Sequence, residues 1–89
     1  MALTVHLYSS SFCGACTQAR QVLSSVEPLL GDRVVWSESN VASSPDDAER
    51  DGIVSTPTVV LRDGDRELAR ASGVPTADQV IGLLARHLA

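Results

Sequence analysis

A β-rich run, Val5-His6-Leu7-Tyr8, gives way after four residues to a helical pattern, and the chain's two cysteines stand at the junction. The helical signal is an apolar stripe, Ala15, Ala19, Val22, Leu23 and Val26, spaced i, i+4, i+7, i+8 and i+11. Between the two patterns Ser9-Ser10-Ser11 reads as a loop. The order is therefore strand, loop, Cys13-Gly14-Ala15-Cys16, helix, which seats Cys13 at a helix N-terminus. Unpaired N–H groups and the positive end of the helix macrodipole meet there.

The remaining elements follow by the same signals. Arg33 to Ser39 reads as a second strand with Val34, Trp36 and Val41 inward. Ser44-Pro45-Asp46-Asp47 opens a short helix with a cap, a first-turn proline and acids at the positive end; Gly52 stops it. Thr58-Val59-Val60-Leu61 is a strand buried on both faces. Asp63-Gly64 marks a hairpin, with Glu67-Leu68-Ala69-Arg70 as the return strand. Thr76-Ala77-Asp78-Gln79 fits a capping box ahead of a last helix whose inner face is Val80, Ile81, Leu84, Ala85 and Leu88. A helical crossover makes the first two strands parallel. The expected architecture is α/β, βαβαββα, a four-stranded mixed sheet flanked by three helices in a single domain over residues 1–89. The cysteines lie just past the carboxyl end of the first strand, where such sheets place their chemistry.

Composition removes several function classes. The 89 residues are 44% hydrophobic and 20% charged, a globular balance. No apolar stretch approaches the roughly 18 residues of a membrane span. The N-terminus lacks the basic head and long apolar run of a signal peptide, so the expected location is cytoplasmic. The net charge is −4 and the seven basic residues, all Arg, are scattered, which argues against nucleic acid as a partner. Trp36, Tyr8 and Phe12 are too few aromatics for a base-stacking platform. His6 reads as a strand-face residue and Asp46-Asp47-Ala48-Glu49 as a solvated helix face.

The cysteine pair carries the chemistry. A bridge this short constrains the unfolded chain little, so a structural disulfide framework is not the purpose. Zinc wants four ligands, and His6 and His87 lack the spacing to complete a set with Cys13 and Cys16. Two readings remain: dithiol–disulfide exchange, or a metal or iron–sulfur module that shares the two sulfurs between chains. For exchange, the thiolate is the attacking species, and a free thiol with a pKa of about 8.5 is only about 3% thiolate at pH 7. No Lys or Arg occurs among residues 1–19, so the helix terminus must supply the activation. Cys16, one turn on, points back into the fold to attack the mixed disulfide, and the small Gly14 and Ala15 leave the sulfurs accessible.

At this point the chain resembles the thioredoxin superfamily, in particular its small glutaredoxin-like, or mini-thioredoxin, members. Three segments carry the likeness: Val5-His6-Leu7-Tyr8 leading into Cys13-Gly14-Ala15-Cys16, Asp51 to Leu61 with Thr56-Pro57 ahead of an apolar strand, and Ser72-Gly73-Val74-Pro75-Thr76-Ala77 before the last helix. The resemblance implies a dithiol–disulfide oxidoreductase with Cys13 as nucleophile and Cys16 as resolving thiol. It implies a cis Thr56-Pro57 peptide beside them, with the Thr56 main chain free to pair with an extended substrate. Phe12, Gly14, Ala15, Thr56 and Pro57 are the expected supporting residues, and Tyr8, Ser11, Gly73 and Val74 the candidate substrate contacts. No cofactor beyond the Cys13–Cys16 pair and no metal is expected. The implied partners are disulfide-containing proteins and an upstream reductase or low-molecular-weight thiol, acting on a monomer. Phe12 stands where thioredoxins carry Trp, and Leu7 where they carry a buried Asp. A non-catalytic adaptor of the same fold is the other reading the likeness admits.

Overall fold

The structure, a computed structural model, describes residues 3–88. The chain forms β1 (Leu3–Ser9), α1 (Gly14–Leu30), a 3-10 turn (Gly31–Arg33), β2 (Val34–Asn40), α2 (Pro45–Arg50), β3 (Thr58–Asp63), β4 (Arg66–Ser72) and α3 (Ala77–Leu88). The sheet order is β2-β1-β3-β4. β1 runs parallel to β2, from Leu3 opposite Val34 to Ser9 opposite Asn40, and antiparallel to β3. β3 and β4 form the expected hairpin, with Gly64 at φ 62° in its turn and a bulge at Leu61/Arg62.

Alternation along β1 divides the molecule into two layers. Leu3, Val5 and Leu7 face one way and join Ala19, Leu23 and Val26 of α1 and Val80 and Leu84 of α3 in the main core. Tyr8 faces the other way and packs with Ala48 of α2 and Val60 of β3, backed by Val41 and Ile53. β3 therefore needs apolar residues at successive positions: Val59 and Leu61 serve the first layer and Val60 the second. Val41 belongs to this second layer, while Val34 is buried and Trp36 half-buried against the first.

Local signals set the element ends. Thr76 Oγ1 accepts from the Gln79 N–H at 3.1 Å and the Thr76 N–H donates to Gln79 Oε1 at 2.9 Å, a complete capping box. At the end of α2, Ile53 N–H donates to Ala48 O and Gly52 N–H to Glu49 O, with Gly52 at φ 65°. That reversal requires the left-handed conformation glycine adopts freely. Ser44 occupies the N-cap of α2, but its side chain makes no capping hydrogen bond.

Helical phase corrects two expectations. Ala15 is exposed, and Cys16 takes the inward place with Ala19, Leu23 and Val26. At about 100° per residue, spacings of 3, 4 and 3 cluster on one side and leave position 15 on the flank. In α3, Ile81 is 37% exposed and Ala85 is exposed, whereas Val80 and Leu84 are buried and Leu88 half-buried. Leu84 is 1% exposed, so Leu84→Ala is expected to cost about 2–5 kcal/mol. Ile81→Ala is expected to cost less than about 1 kcal/mol, because that side chain is already partly in water. Urea unfolding of both variants checks the contrast.

Candidate functional site

The strand register brings three loops to one end of the sheet. Tyr8 lies opposite Thr58, and Thr58 opposite Ser72. The segments after Tyr8, before Thr58 and after Ser72 must therefore meet. Two hydrogen bonds tie them: Ser10 Oγ to Thr56 Oγ1 at 2.8 Å, and the Gly73 N–H to Pro57 O at 2.9 Å. The Thr56–Pro57 peptide bond is cis, and Pro57 is buried. Among the described residues the Thr56 main chain makes no main-chain hydrogen bond outside the strands and helices.

The cysteines sit in the first of these segments. Cys13 is the N-cap of α1, with extended backbone (φ −112°, ψ 102°). Its Sγ accepts the Cys16 main-chain N–H at 3.0 Å, so a first-turn amide that would otherwise lack a partner points at the sulfur. No acidic residue occupies the first turn of α1 to compete for that positive terminus. Cys13 and Cys16 form a disulfide, with Cα atoms 5.2 Å apart. The two sulfur-bearing residues differ in access: Cys13 is half-buried, while Cys16 is 1% exposed.

Phe12 reaches this junction in an unusual conformation. Its φ is 57°, the left-handed region that costs a non-glycine residue about 1–2 kcal/mol. The outcome is a ring fully in solvent beside Cys13. Val54 is 95% exposed two residues before Thr56, and Val74 is 40% exposed next to Gly73. Three apolar side chains thus surround the end of the sheet that bears the disulfide. Gly14 and Ala15 are exposed, and Ser11 is exposed with its Oγ accepting from Asn40 Nδ2 at 3.2 Å.

Tyr8 does not belong to this surface. It is 1% exposed, and its hydroxyl donates to Asp51 Oδ2 on the α2 side of the sheet, so it offers substrate nothing. Tyr8 follows Leu7 by one residue and therefore faces the opposite layer. Around it lies a polar cluster: Arg62 donates to the same Asp51 carboxylate, and His6 stacks edge-on at 4.6 Å. The two His6 ring nitrogens meet Ser37 Oγ and Ser39 Oγ.

Sequence reasoning passed over the polar group beneath α1. Glu38 accepts from Arg20 Nε at 2.9 Å, from Arg20 Nη2 at 2.7 Å and from Ser9 Oγ at 2.8 Å. A signal for Glu38 exists, since it follows Val34 and Trp36 in the inward phase of β2. Its partners become evident only with the register that sets it opposite Leu7. Among the described residues no three His, Cys, Asp or Glu side chains converge to hold a metal ion.

No family model matches the chain. Among curated proteins, the thioredoxin of Chlamydia caviae is 30% identical over 80 residues, covering 90% of this chain and 78% of that one. The chain belongs to the thioredoxin family. The thioredoxin of Methanocaldococcus jannaschii is likewise 30% identical, over 94% of both chains. Among solved structures, a malaria parasite thioredoxin-2 superposes with a TM-score of 0.91 at 21% identity, over 97% of this chain and 84% of that one. The Drosophila thioredoxin Deadhead gives 0.86 at 22% identity, over 96% and 80%. With a Cys-x-x-Cys pair at disulfide distance on a thioredoxin fold, the chain is a thiol–disulfide oxidoreductase.

The titrating groups around β1 give the protein an acid-sensitive profile. Burial, aided by Arg62, lowers the His6 pKa below its usual value. Arg20 and Ser9 hold the Glu38 carboxyl low against a smaller opposing effect of burial. For Asp51 burial opposes ionisation, but Tyr8 and Arg62 outweigh it and the pKa is lowered. Each group binds protons more readily unfolded than folded, so stability falls as pH drops. His6 acts first, from about pH 6.5 downward, and the carboxylates below about pH 4. The urea midpoint is expected to decline from neutral to acid pH. His6→Asn should flatten the upper part of that decline and Asp51→Asn only the lower part.

Proposed function

We propose that the protein reduces disulfides in other proteins, with Cys13 attacking and Cys16 resolving. The observation that carries this reading is the asymmetry of the pair. Cys13 is the more accessible residue and its sulfur accepts a helix-terminal N–H, while Cys16 is enclosed. An amide dipole aimed at a sulfur favours its anion, which is the nucleophile.

The reaction balances over two exchanges. The Cys13 thiolate bonds to one substrate sulfur, the substrate S–S bond breaks, and the first thiolate leaves and takes a proton from water. Cys16 then loses its proton and bonds to Cys13 Sγ, and the second substrate thiolate leaves and is protonated. The dithiol has given two electrons, and the substrate disulfide has become two thiols. A reductase dithiol, or two molecules of a small thiol that leave as their own disulfide, returns the pair to its reduced form by the same kind of exchange. The chain's two cysteines are the redox pair itself, and no further cofactor is needed for this cycle. A cytoplasmic setting, where thiols are kept reduced, suits the reducing direction.

Substrate recognition in this reading uses the apolar residues and open main chain around the disulfide. Phe12, Val54 and Val74 offer apolar area, and the Thr56 main chain can pair with an extended segment as an added strand. Ser11 and Gly73 complete the rim. Cys13→Ser is expected to abolish reduction of insulin disulfides; undiminished turnover would falsify the assignment. Cys16→Ser is expected to leave a covalent Cys13 adduct, visible by non-reducing electrophoresis and mass spectrometry. Val54→Asp and Val74→Asp should raise KM for a protein disulfide several-fold while leaving attack on a small aromatic disulfide unchanged. Equal losses on both substrates would remove the apolar rim from recognition.

A further inference from the structure

With Cys13 attacking and Cys16 resolving, the second exchange requires Cys16 to lose a proton. Cys16 is 1% exposed, and burial disfavours a thiolate. The charged groups brought toward it by the surrounding elements are few. On α1 the next cation is Arg20, at i+4, where helical side chains are neighbours on one face. β2 contributes Glu38, opposite Leu7. α3 carries Asp78, Arg86 and His87, none of them buried. His6 of β1 and Arg62 of β3 lie on the α2 side of the sheet, against Tyr8 and Asp51.

Arg20 and Glu38 are fixed relative to the redox pair from both ends. Glu38 binds both Arg20 Nε and Nη2, and the same carboxylate accepts the hydroxyl of Ser9. Ser9 is 3% exposed and is the last residue of β1, the strand that leads directly into the cysteine loop. A cleft of about 220 Å³, lined by Leu7, Arg20, Leu23, Trp36 and Glu38 among others, opens between α1 and β2 at this point. The fork geometry restrains the guanidinium of Arg20, a residue one helical turn beyond Cys16 on α1, and neutralises much of its charge.

We propose, on the strength of the roles assigned to the two cysteines, that the Arg20–Glu38 ion pair governs how readily Cys16 gives up its proton. Arg20 favours the thiolate, and Glu38 holds that influence in check. In the affected step the Cys16 proton passes to solvent and a Cys16–Cys13 bond forms. The bond from Cys13 to the substrate sulfur breaks, and the departing thiolate takes a proton from water. Both residues are positioning groups acting through charge. Because the side chains of Arg20 and Glu38 are 47% and 35% exposed, solvent screens the effect. The expected shift is therefore about half a pH unit, roughly a threefold change in thiolate fraction.

Opposite signs in the two single variants make the test specific. Reduced protein is mixed in a stopped-flow instrument with an equal amount of a nitrobenzoate disulfide that releases a coloured thiolate. Two releases follow, the first from attack by Cys13 and the second from resolution by Cys16. The pH midpoint of the second phase is measured in the native protein, Glu38→Gln, Arg20→Gln and the double variant, with thermal unfolding recorded for each. Glu38→Gln frees the cation and should lower the midpoint by about half a unit. Arg20→Gln leaves an uncompensated carboxylate and should raise it, and the double variant should fall between them. Midpoints that stay fixed, or move in the same direction in both single variants while melting temperatures fall, would assign the pair a purely structural role and overturn the proposal. A second phase that persists in Cys16→Ser would instead overturn the resolving role of Cys16, and the pair's role with it.

Discussion

Everything at the functional end of this molecule depends on one hydrogen bond, from the main-chain N–H of Cys16 to the sulfur of Cys13. It exists because β1 stops at Ser9 and α1 starts at Gly14, leaving Cys13 as the residue whose side chain must serve the first turn. A capping hydroxyl would do the same structural work. A sulfur in that position also receives the electrostatic bias that the helix terminus provides to any anion. In the proposed reaction, structural capping and chemical activation are therefore the same contact. The parallel β1–β2 pairing prepares it, since the crossover helix must begin at the carboxyl end of β1.

The second constraint is that β1 is shared by two layers. Its inward residues on one side build the apolar core with α1 and α3, and on the other side His6 and Tyr8 enter a polar network with Asp51 and Arg62. That network anchors α2 to the sheet. Anchoring α2 fixes the segment that follows it, and that segment carries Thr56 to Ser10 of the loop that leads into the cysteines. Ser10 and Thr56, whose side chains meet across the two loops, close the circuit from the side of the cysteines.

Much of this was legible in the sequence, and the reasons are local. The element order followed from periodicity and from turn residues whose chemistry is short-range: the Thr76/Gln79 capping box, the Asp63-Gly64 hairpin and the Gly52 helix stop. The Cys-x-x-Cys pair at a strand–helix junction was equally readable, because strand, loop and stripe lie within a few residues of it. What escaped was phase and register. Ile81 and Ala85 satisfied a helical spacing, but only packing against α1 decided which side of α3 was inner. Tyr8 lay beside the cysteine loop in sequence, yet alternation turned it to the opposite layer. Glu38 had the inward phase of Val34 and Trp36, but Ser9 and Arg20 lie 29 and 18 residues away, and no local pattern announces such partners.

Phe12 carries a consequence of its own. Its ring is fully exposed, held out by a backbone conformation that L-residues rarely adopt. The protein itself gains no burial energy from this side chain. Covering a Phe is worth about 1.5–3 kcal/mol, and that gain becomes available only when another molecule provides the cover. The torsional cost, by contrast, has already been met during folding, so an arriving partner finds the ring presented rather than having to extract it. In the proposed reduction of protein disulfides, the fold thus transfers an apolar gain from its own stability to the moment of encounter, one residue away from the attacking sulfur.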